Sequence, residues 1–141
     1  MSTMTKRQLL GLGLAGLVVA GGAGYALTSG GQAGFEQTFL TVDEMKATGG
    51  LIVDIRTPPE WVETGVIEGA TLLTFDDPNR FLAEVGPKIA DGRGLILVCR
   101  SGNRTAAAAK ALAGRIPNRI VSIDGGMKKV IAAGYSPVPP A

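Results

Sequence analysis

The chain has 141 residues, a formal net charge of +2, no histidine and a single cysteine, a length that suits one domain of ordinary size plus an extension. The missing histidine excludes Ser-His and Cys-His dyads and imidazole metal ligands, so no metal or cofactor is expected. One cysteine excludes an internal disulfide, and without Lys6 and Arg7 the basic and acidic residues balance, leaving no basic patch for nucleic acid.

The mean hydropathy of +0.25 owes much to the first thirty or so residues, where Lys6-Arg7 precedes an uncharged run from Leu9 to Leu27. A bilayer core takes about 20 apolar residues as a helix, so this run reads as an export signal or an N-terminal anchor helix. Thr5-Lys6-Arg7-Gln8-Leu9-Leu10 is similar to a twin-arginine signal with lysine in place of the first arginine. Small residues allow cleavage after Ala26 or Ala33. The expected location is therefore the bacterial periplasm, soluble after cleavage or tethered to the inner membrane by residues 9–27. Ser29 to Gly34 is a Gly-rich linker that closes a segment 1–34 and opens a folded domain over 35–141.

Within that domain Thr41 and Glu44 have the spacing of a capping box, starting a short helix that Gly49-Gly50 ends. Leu51 to Ile55 reads as a buried strand carrying Asp54 and Arg56 at its carboxyl end, where open α/β sheets place ligands; an ordinary structural ion pair or surface charges is the alternative reading of these two residues. Thr57-Pro58-Pro59-Glu60 is a second capping box, with Pro58 at the first helical position and Trp61 expected to pack the helix onto the body. Gly65 to Ala70 turns into a strand from Thr71 to Phe75. A helix follows from about Asn79 to Val85, limited by Pro87.

Leu95-Ile96-Leu97-Val98 is an apolar run ending at Cys99, followed by Arg100-Ser101-Gly102-Asn103-Arg104 and then by an Ala-rich helix from Thr105 to Gly114. The order strand, tight loop, helix makes backbone N–H groups and the positive end of the helix dipole converge inside the loop. Cysteine reacts as its thiolate, which such ends and neighbouring arginines favour. Cys99 is the candidate nucleophile, and Arg100 and Arg104 are candidate anion ligands. As a bland alternative, Cys99 is a small buried hydrophobe at a strand end. Ser101 and Asn103 suit a turn better than substrate contact. Arg119 to Ile123 forms another strand, Gly125-Gly126 a sharp turn, and Met127 to Ala133 a last helix, with Pro137 to Ala141 a frayed tail. Alternating strands and short helices imply an α/β domain with a mostly parallel central sheet covered on both faces.

Val53 to Trp61, Gly65 to Ala70, Cys99 to Thr105, and Gly125-Gly126-Met127 through Tyr135 resemble, in this order, the single-domain rhodanese family of sulfurtransferases. The resemblance covers about Phe39 to Val138. It implies a rhodanese-like fold and ping-pong transfer of sulfane sulfur from thiosulfate or another persulfide donor, through a Cys99 persulfide, to cyanide or a thiol, a protein thiol included. On this resemblance the Arg100 to Arg104 amides hold the persulfide, Arg100 and Arg104 orient the donor, and Ser101, Gly102 and Asn103 shape the loop. Asp54, Arg56 and Thr105 support it. Val66 stands where the family commonly carries histidine, and Val130 where a tryptophan often follows the paired glycines. Changed packing, rather than lost chemistry, is expected at both. Two rivals share these features. A cysteine phosphatase or arsenate reductase also sets a cysteine and an arginine around an anion, although Cys99 and Arg104 enclose four residues where phosphatase loops have five. A binding or persulfide-carrier module tethered to the membrane is the other.

Overall fold

A computed structural model describes residues 34–141. The expected signal or anchor helix lies outside the described residues. The rest forms five strands and five helices: β1 (Glu36–Thr38), α1 (Val42–Ala47), β2 (Leu51–Asp54), α2 (Pro58–Thr64), β3 (Thr71–Leu72), α3 (Pro78–Val85), β4 (Leu95–Val98), α4 (Asn103–Leu112), β5 (Ile120–Ile123) and α5 (Gly126–Ala132). The strands make one sheet in the order β1-β5-β4-β2-β3, with every pairing parallel. The α/β class, the parallel sheet and the helical cover on both faces are as the sequence implied.

Strand alternation divides the apolar side chains between two layers. Val53, Leu95, Leu97 and Cys99 pack with Phe81 and Val85 of α3 and Ala108, Ala109 and Leu112 of α4. Ile52, Ile96, Val98, Val121 and Ile123 pack with Val42 and Met45 of α1 and Met127 and Val130 of α5. The alanines that gave α4 its helix propensity thus let it lie close to the sheet. Every residue of β4 is buried, as a central parallel strand requires.

Both capping boxes form at least in part. Thr41 Oγ1 accepts from the Glu44 N–H at 3.1 Å and Glu44 returns the bond at 2.8 Å; the Thr57 N–H donates to Glu60 Oε1 at 3.1 Å. Several boundaries differ from the sequence reading. Helix α3 starts at Pro78, because Asp77 caps the Asn79 and Arg80 N–H groups, and past Val85 the chain tightens into a 3-10 turn, Gly86–Ile89. Strand β3 is reduced to Thr71–Leu72, though the Leu73 and Phe75 N–H groups still donate to Asp54 and Ile55. Edge strand β1 was missed, since three half-polar residues carry no clear period. The expected frayed tail is instead tied down: Val66 and Val138 exchange backbone hydrogen bonds of 2.8 and 2.9 Å, and the Tyr135 hydroxyl accepts from the Glu68 N–H at 2.9 Å. Val66 and Val130, the two departures from the family pattern, are both buried aliphatic packing residues.

Candidate active site

Cys99 follows directly on β4 and is only 1% exposed. The turn behind it is shorter than the sequence suggested. Gly102 is already the N-cap, so Asn103, Arg104 and Thr105 form the first turn of α4. Gly102 has φ +100°, and a Cβ there would lie 2.9 Å from the Gly125 nitrogen and 3.2 Å from the Ile123 carbonyl oxygen. Only glycine fits, and the resulting backbone turn aims its N–H at Cys99 Sγ, 3.1 Å away.

A second glycine fixes the outer side of the turn. At Gly126, φ +55°, a Cβ would stand 2.5 Å from the Cys99 carbonyl oxygen. This close approach lets the first amides of α5 take up the turn's carbonyls: the Met127 N–H donates to Cys99 O at 2.8 Å and the Lys128 N–H to Arg100 O at 3.1 Å. With those carbonyls turned toward α5, the turn presents the Gly102 N–H to the sulfur.

On the inner side Thr105 is completely buried. Its Oγ1 lies 3.6 Å from Cys99 Sγ and donates to Gly102 O at 3.1 Å. Ser122 of β5, equally buried, donates to Thr105 Oγ1 at 2.8 Å. Sequence reasoning did not single out Ser122. Its one signal was a hydroxyl within the otherwise aliphatic Ile120–Ile123, and only the register of β5 on β4, which sets Ser122 beside Leu97, reveals its place.

Asp54 and Arg56 come together, but with each other. Arg56 Nη2 bonds Asp54 Oδ2 at 2.8 Å with both side chains 1% exposed, and Nε bonds Oδ1 at 2.9 Å. The guanidinium also reaches Thr64 Oγ1 at 2.7 Å and the Gly65 carbonyl at 2.9 Å, while the half-buried Trp61 donates its indole N–H to Asp54 Oδ1 at 3.2 Å. The pair therefore fastens α2 to the end of β2, beside the turn rather than inside it.

Arg104 points to α2. It grips Glu60 through two parallel bonds, Nη1 to Oε1 at 2.8 Å and Nη2 to Oε2 at 2.7 Å. These bonds outweigh burial and lower the Glu60 carboxyl to about 2, with smaller help from the Thr57 N–H and hydroxyl. Glu60 in turn holds Arg104 more firmly protonated. Arg100 and Lys128 instead line an open cleft of about 190 Å³ between α2 and α5, with Glu60 and Glu63 of α2 also lining it. Among the described residues Arg100 forms no salt bridge, and no group of three or more His, Cys, Asp or Glu side chains could hold a metal.

A cysteine at the end of a central parallel strand, in a glycine-turned loop at a helix N terminus, agrees with a family match over residues 39–133 to the model described as Rhodanese-like domain. The chain belongs to the rhodanese-like family. Membership carries a sulfurtransferase-type or related activity. No curated protein shows significant similarity to the chain. Among solved structures, a protein of unknown function from Rhodopseudomonas palustris, described as a possible tyrosine phosphatase, is 26% identical, with TM-score 0.53, over 74% of this chain and 84% of that one. A rhodanese-like domain protein from Staphylococcus aureus is 24% identical, with TM-score 0.51, over 67% and 90%. A rhodanese-related protein from Thermoplasma volcanium is 23% identical, with TM-score 0.53, over 70% and 94%. The last two share the rhodanese-like fold with this chain.

Proposed function

We propose that this protein is a thiosulfate-type sulfurtransferase in which Cys99 carries the transferred sulfur. The observation that carries the reading is the Gly102 N–H directed at Cys99 Sγ from a helix N terminus, with the carbonyls of Cys99 and Arg100 drawn away to α5. A thiolate formed there attacks the outer sulfur of thiosulfate. The S–S bond of the donor breaks, sulfite leaves with the electron pair, and Cys99 is left as a persulfide. A cyanide or thiol acceptor then takes the outer sulfur and returns the thiolate. Arg100, at the open cleft beside Lys128, meets the anionic donor. Arg104 acts from behind, as the charge that Glu60 holds in place.

That last point also separates this reading from a phosphatase. A phosphatase arginine must wrap a tetrahedral anion with its own fork, whereas the fork of Arg104 is occupied by Glu60. The N-terminal segment would export the domain and either be removed or tether it to the membrane; fractionation of cells with an antibody to the domain tests this.

Intact-mass spectrometry before and after thiosulfate, with Cys99→Ser alongside, tests the chemistry. The expected result is a gain of one sulfur atom on the parent only, removed by cyanide with release of thiocyanate. Hydrolysis of an aryl phosphate, lost in Cys99→Ser and unaccompanied by sulfur uptake, would replace this reading with the phosphatase one.

A further inference from the structure

The hydroxyls of Thr105 and Ser122 are fully buried and share one chain of hydrogen bonds with Cys99. Thr105 has one hydroxyl proton. It is given to Gly102 O, a carbonyl that can only accept. With that proton so placed, Ser122 donates in its 2.8 Å contact with Thr105 Oγ1, and the Cys99 thiol donates in the 3.6 Å contact with the same oxygen, in which either atom can be the donor. This arrangement serves a neutral Cys99. Once the S–H bond breaks and a base in solvent takes the proton, Thr105 Oγ1 loses a donor and Sγ gains a need for one.

The surroundings allow the exchange without loss. Gly102 O also accepts from the Ala106 N–H at 3.1 Å and lies 3.5 Å from Gln37 Nε2, so it stays satisfied when the Thr105 O–H turns away. Ser122 continues to donate to Thr105, and donation into a hydroxyl strengthens that hydroxyl's own donation. We infer that Thr105 and Ser122 form a hydroxyl switch that follows the charge on Cys99, with Ser122 as a positioning residue that makes Thr105 a better donor to the thiolate. The inference rests on Cys99 being the reactive thiol of this site.

The charged groups on the turn and the elements packed against it are Arg100 in the turn, Arg104 with its partner Glu60 on α2, the Asp54–Arg56 pair at the end of β2, Asp124 after β5, and Lys128 and Lys129 on α5. Substitution of Ser122 changes none of them, so its effect reports the hydroxyl alone.

The test is the rate of iodoacetamide alkylation of Cys99 in the purified protein as a function of pH. Ser122→Ala is expected to move the midpoint of the profile to higher pH. On the rising limb the rate then falls about 1.3- to fourfold, the effect of a roughly 10–30% weakening of one hydrogen bond to a charged group, while the high-pH plateau stays unchanged. Ser122→Thr, which keeps the hydroxyl, restores the profile. Thr105→Val shifts it at least as far, and adding Ser122→Ala to it changes nothing more, because Ser122 acts through Thr105. Should Ser122→Ala not fold, Thr105→Val carries the same expectation. A Ser122→Ala profile superimposed on the parent, or one lowered equally on limb and plateau, overturns the switch. Alkylation needs no sulfur donor. A protein that shifts as expected yet takes no sulfur from thiosulfate keeps the switch and loses the proposed function, and one that takes sulfur with an unshifted profile does the reverse.

Discussion

Arg56 and Asp54 show how much a single buried pair can hold. Removing either partner leaves the other as an uncompensated charge at 1% exposure, a defect that costs about 3–5 kcal/mol. Arg56→Ala also strips α2 of its bonds to Thr64 and Gly65. Urea denaturation of Arg56→Ala is expected to show a loss of that size, and of Asp54→Ala a similar one. The Glu60–Arg104 pair behaves differently because it titrates. Glu60 sits at about 2 when folded, below its ordinary 4.5. Its ionic contribution to stability is therefore complete above about pH 4.5 and is lost as pH falls through about 2. Comparing the urea midpoints of the parent and Glu60→Gln across this range checks it: the difference at pH 6 should shrink steadily toward the acid end. For Asp54 and Arg56 the sequence left an ordinary ion pair open beside a place facing the cysteine loop, and the two side chains are paired; Glu60 was expected only to cap its own helix, because the approach of α2 to α4 is decided by tertiary packing.

At the level of elements, the contact between the turn and α5 depends on the absence of two side chains. Gly126→Ala is expected to push α5 off the Cys99 and Arg100 carbonyls and to destabilise the fold by about 2 kcal/mol or more, combining a left-handed backbone angle with an overlap that cannot relax. Sulfur uptake measured by mass should fall with it. Val66→His meets a similar obstacle. A polar ring would replace a side chain that is 4% exposed, at the residue whose backbone holds Val138, so lowered stability is expected in thermal denaturation. The order of strand, cysteine, turn and helix was legible because its signals are local: an unbroken apolar run, a glycine, then alanines. The start of α4 at Asn103 was not, since Gly102 serves as its N-cap without a side chain.

For the molecule as a whole, the unbroken apolar run Leu95 to Cys99 marked a strand buried on both faces, whereas the allocation of the two apolar layers to particular helices followed only from strand order. The connections running from β1 to β2 and from β3 back to β4 send their helices, α1 and α3, to opposite faces of the sheet, as right-handed crossovers demand. The domain over 35–141 should therefore unfold in a single cooperative transition by urea, seen equally by Trp61 fluorescence and by circular dichroism, since every strand contributes to the one sheet.

The strand order has a consequence in time. The first strand of the domain finds its only partner in β5, the last, so a ribosome must deliver nearly the whole chain before the sheet's first edge can zip. Local helices can flicker early, but closure waits on the longest loop in the topology, which places this chain among slower, high-contact-order folders.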